Sequence, residues 1–179
     1  MIGILKYRAG NTASVSNALE RLGAEFVITD DPQVLDGTEA VIFPGVGHAA
    51  AAMADLEARR LDRWLQQTRR PVLGICLGMQ LLYESTDEGD CRTLGILPGR
   101  LRKFDPQQEK VPHMGWNRFV SMRDHPLLDQ LDSESWFYYV HSYYAPVGGV
   151  TIAACHHTLD FSAVVAHDNY FGVQFHPEK

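Results

Sequence analysis

The sequence has little cysteine, no long hydrophobic run and no excess of positive charge, and each shortage removes a class of protein. Three cysteines, Cys76, Cys91 and Cys155, stand among 179 residues, an odd count without framework spacing. A disulfide scaffold is therefore excluded, and a reducing, cytoplasmic setting is expected. No stretch reaches the ~18 apolar residues of a membrane-spanning helix. The opening MIGILKYRAGN holds an apolar run too short for a signal peptide, with no small-residue cleavage site behind it. With 16 Lys and Arg against 22 Asp and Glu, the formal net charge is -6. That disfavours nucleic acid, whose phosphates call for clustered cations. The local basic groups (Arg59, Arg60, Arg63, Arg69 and Arg70; Arg100, Arg102 and Lys103) read as solvated faces. Repeats, low-complexity tracts and linkers are missing too, so a single domain over 1–179 is expected.

What is present is ordinary in amount: 45% hydrophobic and 21% charged residues. A chain of this size buries ~70% of its unfolded surface, enough for a core without disulfides or metals. The first half alternates two patterns. Residues 2–5 (IGIL), 25–28 (EFVI), 40–43 (AVIF) and the run VLGIC after Pro71 suit buried parallel strands. Between them Val15, Ala18, Leu19 and Leu22 recur at helical spacing, capped by Asn11 or Thr12 and ended by Gly23. A long helix is predicted from His48 to Thr68, with Met53, Leu56, Leu61 and Leu65 facing the core. Past Gly89 short apolar and aromatic runs (LGILPGRL, NRFVSM, WFYYVHSYY, TIAACHH, SAVVAH, FGVQF) read as strands in hairpins, with one short helix near Pro126–Leu131. The expectation is an α/β domain with a mainly parallel central sheet flanked by helices, plus an added antiparallel portion.

Three segments carry chemistry. Gly74-Ile75-Cys76-Leu77-Gly78 ends a strand and opens a helix, the context of a nucleophile elbow with cysteine in place of serine. The glycines leave room for a tight turn, the helix start favours thiolate, and the Leu77 N–H is free to bind an oxyanion. A buried structural cysteine at such a joint would read the same way. A hundred residues on, GVQFHPE (172–178) delivers His176, with Glu178 two positions later and so on the same side of an extended chain. Glu178 could orient the imidazole, completing a nucleophile, base and orienter in the order Cys76, His176, Glu178. Alone, His176 would read as a strand-end histidine. The third segment, Phe43-Pro44-Gly45-Val46-Gly47, is a glycine-rich turn after a neighbouring strand, where ligands of parallel sheets collect.

In this order and spacing the three segments resemble the class I (triad) glutamine amidotransferases, whose members carry a PG-rich oxyanion strand, a G-x-C-x-G elbow and a terminal H-P-E. A finer resemblance, covering nearly the whole chain from Gly10-Asn11 onward, is to the glutaminase subunits of imidazole glycerol phosphate synthases. VPHMGWN (111–117) is its most discriminating segment, beside VHSYY (140–144) and GVQFHPEK (172–179). The resemblance implies a three-layer domain and oxyanion donors at Val46 and Leu77. It implies a glutamine pocket of Gly47, Gln80, Glu88, Ser142 and Tyr143, in which a carboxylate meets the ammonium and donors meet the carboxylate of the substrate. It implies no cofactor and no metal, and a heterodimeric partner, a (β/α)8-barrel cyclase that receives the ammonia. Lys6 stands where the family usually has aspartate. The family usually continues past the position of Lys179 into a final helix, so this helix is expected to be lacking.

Cys155, His156, His157 and His167 hint at a metal, but only Cys155 and His157 share a side, too few for a closed zinc site. Trp64 and the run Trp136–Tyr139 read as core. Two rival functions stand beside the glutaminase reading: a glutaminase serving another amidotransferase, which VPHMGWN argues against, and a catalytically silent subunit that stabilises a partner.

Overall fold

The alternating apolar runs of the first half form the strands and helices of a βαβ series in the computed structural model, which describes residues 1–179. β1 (Ile2–Leu5), α1 (Thr12–Arg21), β2 (Phe26–Thr29), α2 (Pro32–Asp36), β3 (Ala40–Gly45), α3 (Ala49–Ala58), α4 (Leu61–Gln67), β4 (Val72–Cys76) and α5 (Leu77–Leu81) follow in turn. The second half is almost all strand: β5 (Tyr83–Thr86), β6 (Cys91–Arg92), β7 (Leu97–Lys103), β8 (His113–Met122), β9 (Trp136–His141), β10 (Tyr143–Tyr144), β11 (Thr151–His157), β12 (Leu159–His167) and β13 (Tyr170–Val173).

A nine-stranded sheet in the order β2-β1-β3-β4-β13-β12-β11-β8-β9 runs through the molecule. Its first five strands are parallel, because β13 returns beside β4 with Val173 level with Ile75. From β13 onward the strands are antiparallel, as the hairpin-rich half predicts. A second sheet, β10-β7-β5-β6, lies apart. Alternation along β3 explains the layering. Val41 and Phe43 point into a core shared with Leu35, Met53, Leu56, Leu61 and Leu65 of α2, α3 and α4. Ile42 faces the opposite core, which Val15 and Leu19 of α1 complete. Leu56, Leu61 and Leu65 are fully buried, each contributing about 2 kcal/mol of transfer energy.

Several local expectations are corrected. The helix predicted from His48 to Thr68 is two helices, because Arg60 adopts a left-handed conformation (φ 59°) that ends one and starts the other. The short α2 and strand β5 carry no periodic signal and were not expected. Leu22, expected on the buried stripe of α1, is 79% exposed beyond its last turn. Near Pro126–Leu131 only a single 3-10 turn, Pro126–Leu128, forms. Trp136 is exposed rather than core, whereas Tyr139 of the same strand is fully buried. No helix is long and apolar enough to cross a membrane, and no cluster of three or more metal-ligating side chains exists.

Candidate active site

The parallel half of the sheet aligns the three chemical segments before any side chain is considered. Gly45 at the end of β3 is level with Cys76 at the end of β4. β13, which leads to His176, borders β4 on the other side. The glycine-rich turn, the elbow and the histidine segment therefore leave the carboxyl ends of three adjacent strands.

Cys76 has the backbone of a strained elbow, with φ 52° and ψ -108°. Such a conformation costs of order 1–3 kcal/mol and persists only where packing enforces it. That packing is visible at its glycines. A Cβ on Gly78 would sit 1.8 Å from the Phe43 carbonyl oxygen, and one on Gly74 would sit 2.7 Å from the Met79 nitrogen. The elbow is pressed so tightly between β3 and α5 that only hydrogen fits there. α5 spans only five residues, so the support it offers Cys76 comes from its first N–H groups rather than from a long macrodipole. Leu77 is the first helical residue, and its N–H has no intrahelical acceptor.

His176 and Glu178 do come together, but not as extended chain. β13 ends at Val173, and the segment beyond it bends, closed by the Lys179 N–H donating to the His176 carbonyl (3.2 Å). The His176 N–H is held by the Tyr138 carbonyl on β9 at 2.9 Å. Within this turn His176 Nδ1 lies 2.9 Å from Glu178 Oε1, and both side chains are almost wholly buried. Burial opposes charge on the imidazole, but the Cys76 sulfur and the Glu178 carboxylate outweigh it and push the pKa of His176 up to about 10. His176 Nε2 is buried without a hydrogen-bond partner. Burial raises Glu178 as well, yet the hydrogen bond with His176 prevails and holds its carboxyl below the usual value. The carboxylate stabilises the imidazolium that forms when the imidazole takes the proton of the thiol, and that imidazolium in turn favours the thiolate.

A cavity of about 360 Å³ opens over Cys76 and is walled by Val46, Gly47, Leu77, Gln80, Glu88, Ser142, Tyr143 and His176, with Pro112, Val140 and His141. Every residue expected around the substrate thus borders one cavity, and Glu178 stands behind it. Details differ from a simple pocket. Both N–H bonds of Gln80 are committed, to the Tyr143 carbonyl (3.0 Å) and to Gln174 Oε1 (2.9 Å), so only its oxygen is left for a ligand. Glu88 accepts the Ala49 N–H at the start of α3 through one oxygen (2.7 Å) and keeps the other. The Val46 N–H donates to the Ala9 carbonyl at 2.8 Å and is therefore spent, not offered to an oxyanion. Lys6 lies exposed at the end of β1. Of the cysteine and histidines weighed as a metal site, Cys155 and His157 are buried and His156 is exposed, and they belong to no group of three side chains placed to hold a metal ion.

The sequence reading missed Gln174, His141 and His113. Gln174 is fully buried and places Nε2 3.8 Å from the Cys76 sulfur. The available signal was its spacing, two residues before His176. Tyr7, also missed, buries its hydroxyl under the elbow without a partner.

The family model for class-I glutamine amidotransferases matches residues 4–179, and the chain belongs to that family. Two solved structures share its fold. One is a glutamine amidotransferase with a TM-score of 0.71 and 18% identity over 99% of this chain and 90% of that one. The other is PurLQS from Thermotoga maritima, with a TM-score of 0.70 and 21% identity over 99% and 87%. Much nearer in sequence are proteins named imidazole glycerol phosphate synthase subunit HisH. That of Xanthomonas campestris pv. campestris (strain 8004) is 49% identical over 99% of this chain and 90% of its own length. That of Bacteroides fragilis (strain YCH46) is 46% identical over 99% and 91%. Within the class-I family, the chain falls among these HisH subunits.

Proposed function

We propose that this chain hydrolyses glutamine and hands the ammonia to a cyclase subunit, which forms imidazole glycerol phosphate and an aminoimidazole carboxamide ribotide in histidine biosynthesis. The observation that carries the reading is the His176–Glu178 pair beside a strained Cys76 at the floor of one cavity. The Cys76 thiolate attacks the side-chain amide carbon of glutamine, and His176, already protonated by its surroundings, gives its proton to the leaving ammonia. A water activated by the same imidazole then cleaves the thioester and releases glutamate. Glu178 orients the ring and stabilises its charge without itself taking a proton. The Leu77 N–H holds the tetrahedral oxyanion, joined by the Val46 N–H once that peptide turns away from the Ala9 carbonyl. Glu88 binds the substrate ammonium through its free oxygen, and Gly47, Gln80, Ser142 and Tyr143 complete the pocket.

Ammonia in neutral water is largely protonated and no longer nucleophilic, so the product is useful only if passed on directly. The partner is a (β/α)8-barrel cyclase in a heterodimer; the word subunit in the names of the HisH relatives supports a second chain. The test is Cys76→Ala in the complex. Glutamine-dependent synthesis vanishes, while synthesis from added ammonium salt at raised pH persists. Glutamate release by that variant at a substantial rate would remove Cys76 from the mechanism.

A further inference from the structure

The deepest polar feature outside the triad is a row of buried amides and imidazoles, and its protons can be placed in only one way. The Tyr143 carbonyl can only accept, so His141 Nδ1, 2.8 Å away, carries a hydrogen and donates it. His141 is neutral, since burial pushes its pKa down to about 3. Its Nε2 therefore accepts, and His113 Nδ1 at 3.0 Å is the donor. Burial likewise holds His113 neutral, with a pKa of about 4, so its Nε2 accepts from Asn117 Nδ2 at 3.2 Å. The orientation of Asn117 is fixed in turn, because Nδ2 also donates to the His156 carbonyl and Oδ1 accepts the Arg118 N–H.

From Tyr143 the row continues toward the nucleophile. Its carbonyl also receives a hydrogen from Gln80 Nε2 (3.0 Å), and the other hydrogen of that amide goes to Gln174 Oε1 (2.9 Å). Gln174 cannot then flip: turning its NH2 toward Gln80 would set donor against donor between two buried side chains. Its Nε2 is left facing the Cys76 sulfur at 3.8 Å. A single series of hydrogen bonds thus links β8 of the antiparallel edge to the nucleophile.

We propose that Gln174 is a further catalytic residue of this glutaminase, donating its side-chain N–H to the Cys76 thiolate, and that Gln80, His141, His113 and Asn117 hold it in the orientation that permits this. The proposal rests on Cys76 being the nucleophile. A hydrogen bond to the charged form of an acid favours that form, and it also fixes the sulfur over the amide carbon. His113 and Asn117 lie outside the cavity and His141 only borders it; all three act on the sulfur by positioning. Their neutrality matters, because a second proton between His113 Nδ1 and His141 Nε2 would leave two donors facing each other.

The experiment compares Gln174→Met, similar in size without a donor, with His141→Phe and His141→Asn. Asparagine can still donate from the place of Nδ1, and phenylalanine cannot. The first readout is the rate of Cys76 alkylation by iodoacetamide at fixed neutral pH, resolved from Cys91 and Cys155 by peptide mass spectrometry. It reports the thiolate without any turnover of glutamine, so a failure of the glutaminase reading is seen separately. At a pH below the thiol pKa, the thiolate fraction falls about tenfold for every rise of one in that pKa, and alkylation slows with it. Gln174→Met is expected to slow it about tenfold and to lower kcat for glutamate release by the complex as much, with KM within about twofold. His141→Phe should slow alkylation by a smaller factor, and His141→Asn should restore most of it. Thermal melting establishes that each variant is folded. Wild-type alkylation and kcat in folded Gln174→Met would overturn the role of Gln174. Equal defects in His141→Phe and His141→Asn would overturn the positioning by the imidazoles.

Discussion

Replacing Val46 with proline separates the resting state seen here from the one catalysis needs. The Val46 N–H is 2.8 Å from the Ala9 carbonyl, so only Leu77 can serve an oxyanion as the chain stands. Losing one oxyanion donor costs about 3 kcal/mol, a factor of a hundred or more in rate. A flip of the Gly45–Val46 peptide supplies that donor, and a partner or its bound nucleotide that favours the flipped state raises the rate by this factor when the flipped peptide is rare, about one in a hundred or fewer, in the chain alone. Proline removes the N–H altogether. Val46 is 41% exposed, so little packing goes with it, and Gly45 before it accepts the backbone that proline imposes. Glutamate release is measured for the chain alone, with cyclase, and with cyclase plus its ribonucleotide ligand. Wild type should rise about a hundredfold or more across the series. Val46→Pro should remain near the resting level throughout, because the resting enzyme already lacks this donor. Full activation of folded Val46→Pro would show that Val46 supplies no oxyanion donor. Full activity of the wild-type chain alone would show that the peptide is no switch.

Three further outcomes are expected. Glu178→Gln should lower kcat less than His176→Ala, since an amide still accepts the ring N–H at the 2.9 Å position; equal losses in glutamate release would refute the division of roles. Gly78→Ala drives a Cβ to within 1.8 Å of the Phe43 oxygen, and overpacking of this kind costs about 1–3 kcal/mol or more; denaturant melting should show a loss of at least about 2 kcal/mol, with activity falling too because β3 leads directly into Val46. His113 and His141 stay neutral in the fold down to about pH 4 and about pH 3, whereas the unfolded chain protonates both near pH 6.5. The unfolded state binds more protons in that window, so stability falls as pH drops from about 6.5 toward 4, by on the order of 3 kcal/mol per ring. Urea melts across this range should show the decline, and His141→Asn should flatten part of it.

Strand–helix alternation and the strand–turn–helix elbow at Cys76 were legible in the residues alone. Buried parallel strands write themselves as apolar runs, and an elbow demands small residues around Cys76 whatever surrounds it. The buried stripe of α3 and α4 was legible for the same reason. The break at Arg60 was not, because a left-handed residue other than glycine leaves no mark in a hydrophobic pattern. The motifs also pointed to Cys76, His176 and the other residues that border one cavity.

How those positions meet depends on packing between distant segments. The i, i+2 spacing suggested extended chain for His176 and Glu178, yet a turn anchored on Tyr138 brings them together, since hydrogen bonding to β9 overrides local geometry. The orientation of the Val46 peptide is likewise a matter of one bond to Ala9, a residue 37 positions away in sequence. The links from Asn117 through His113, His141 and Gln80 to Gln174 join segments far apart in the chain. A side chain's hydrogen-bond partner depends on which distant strand packs beside it, and local pattern carries no record of that choice.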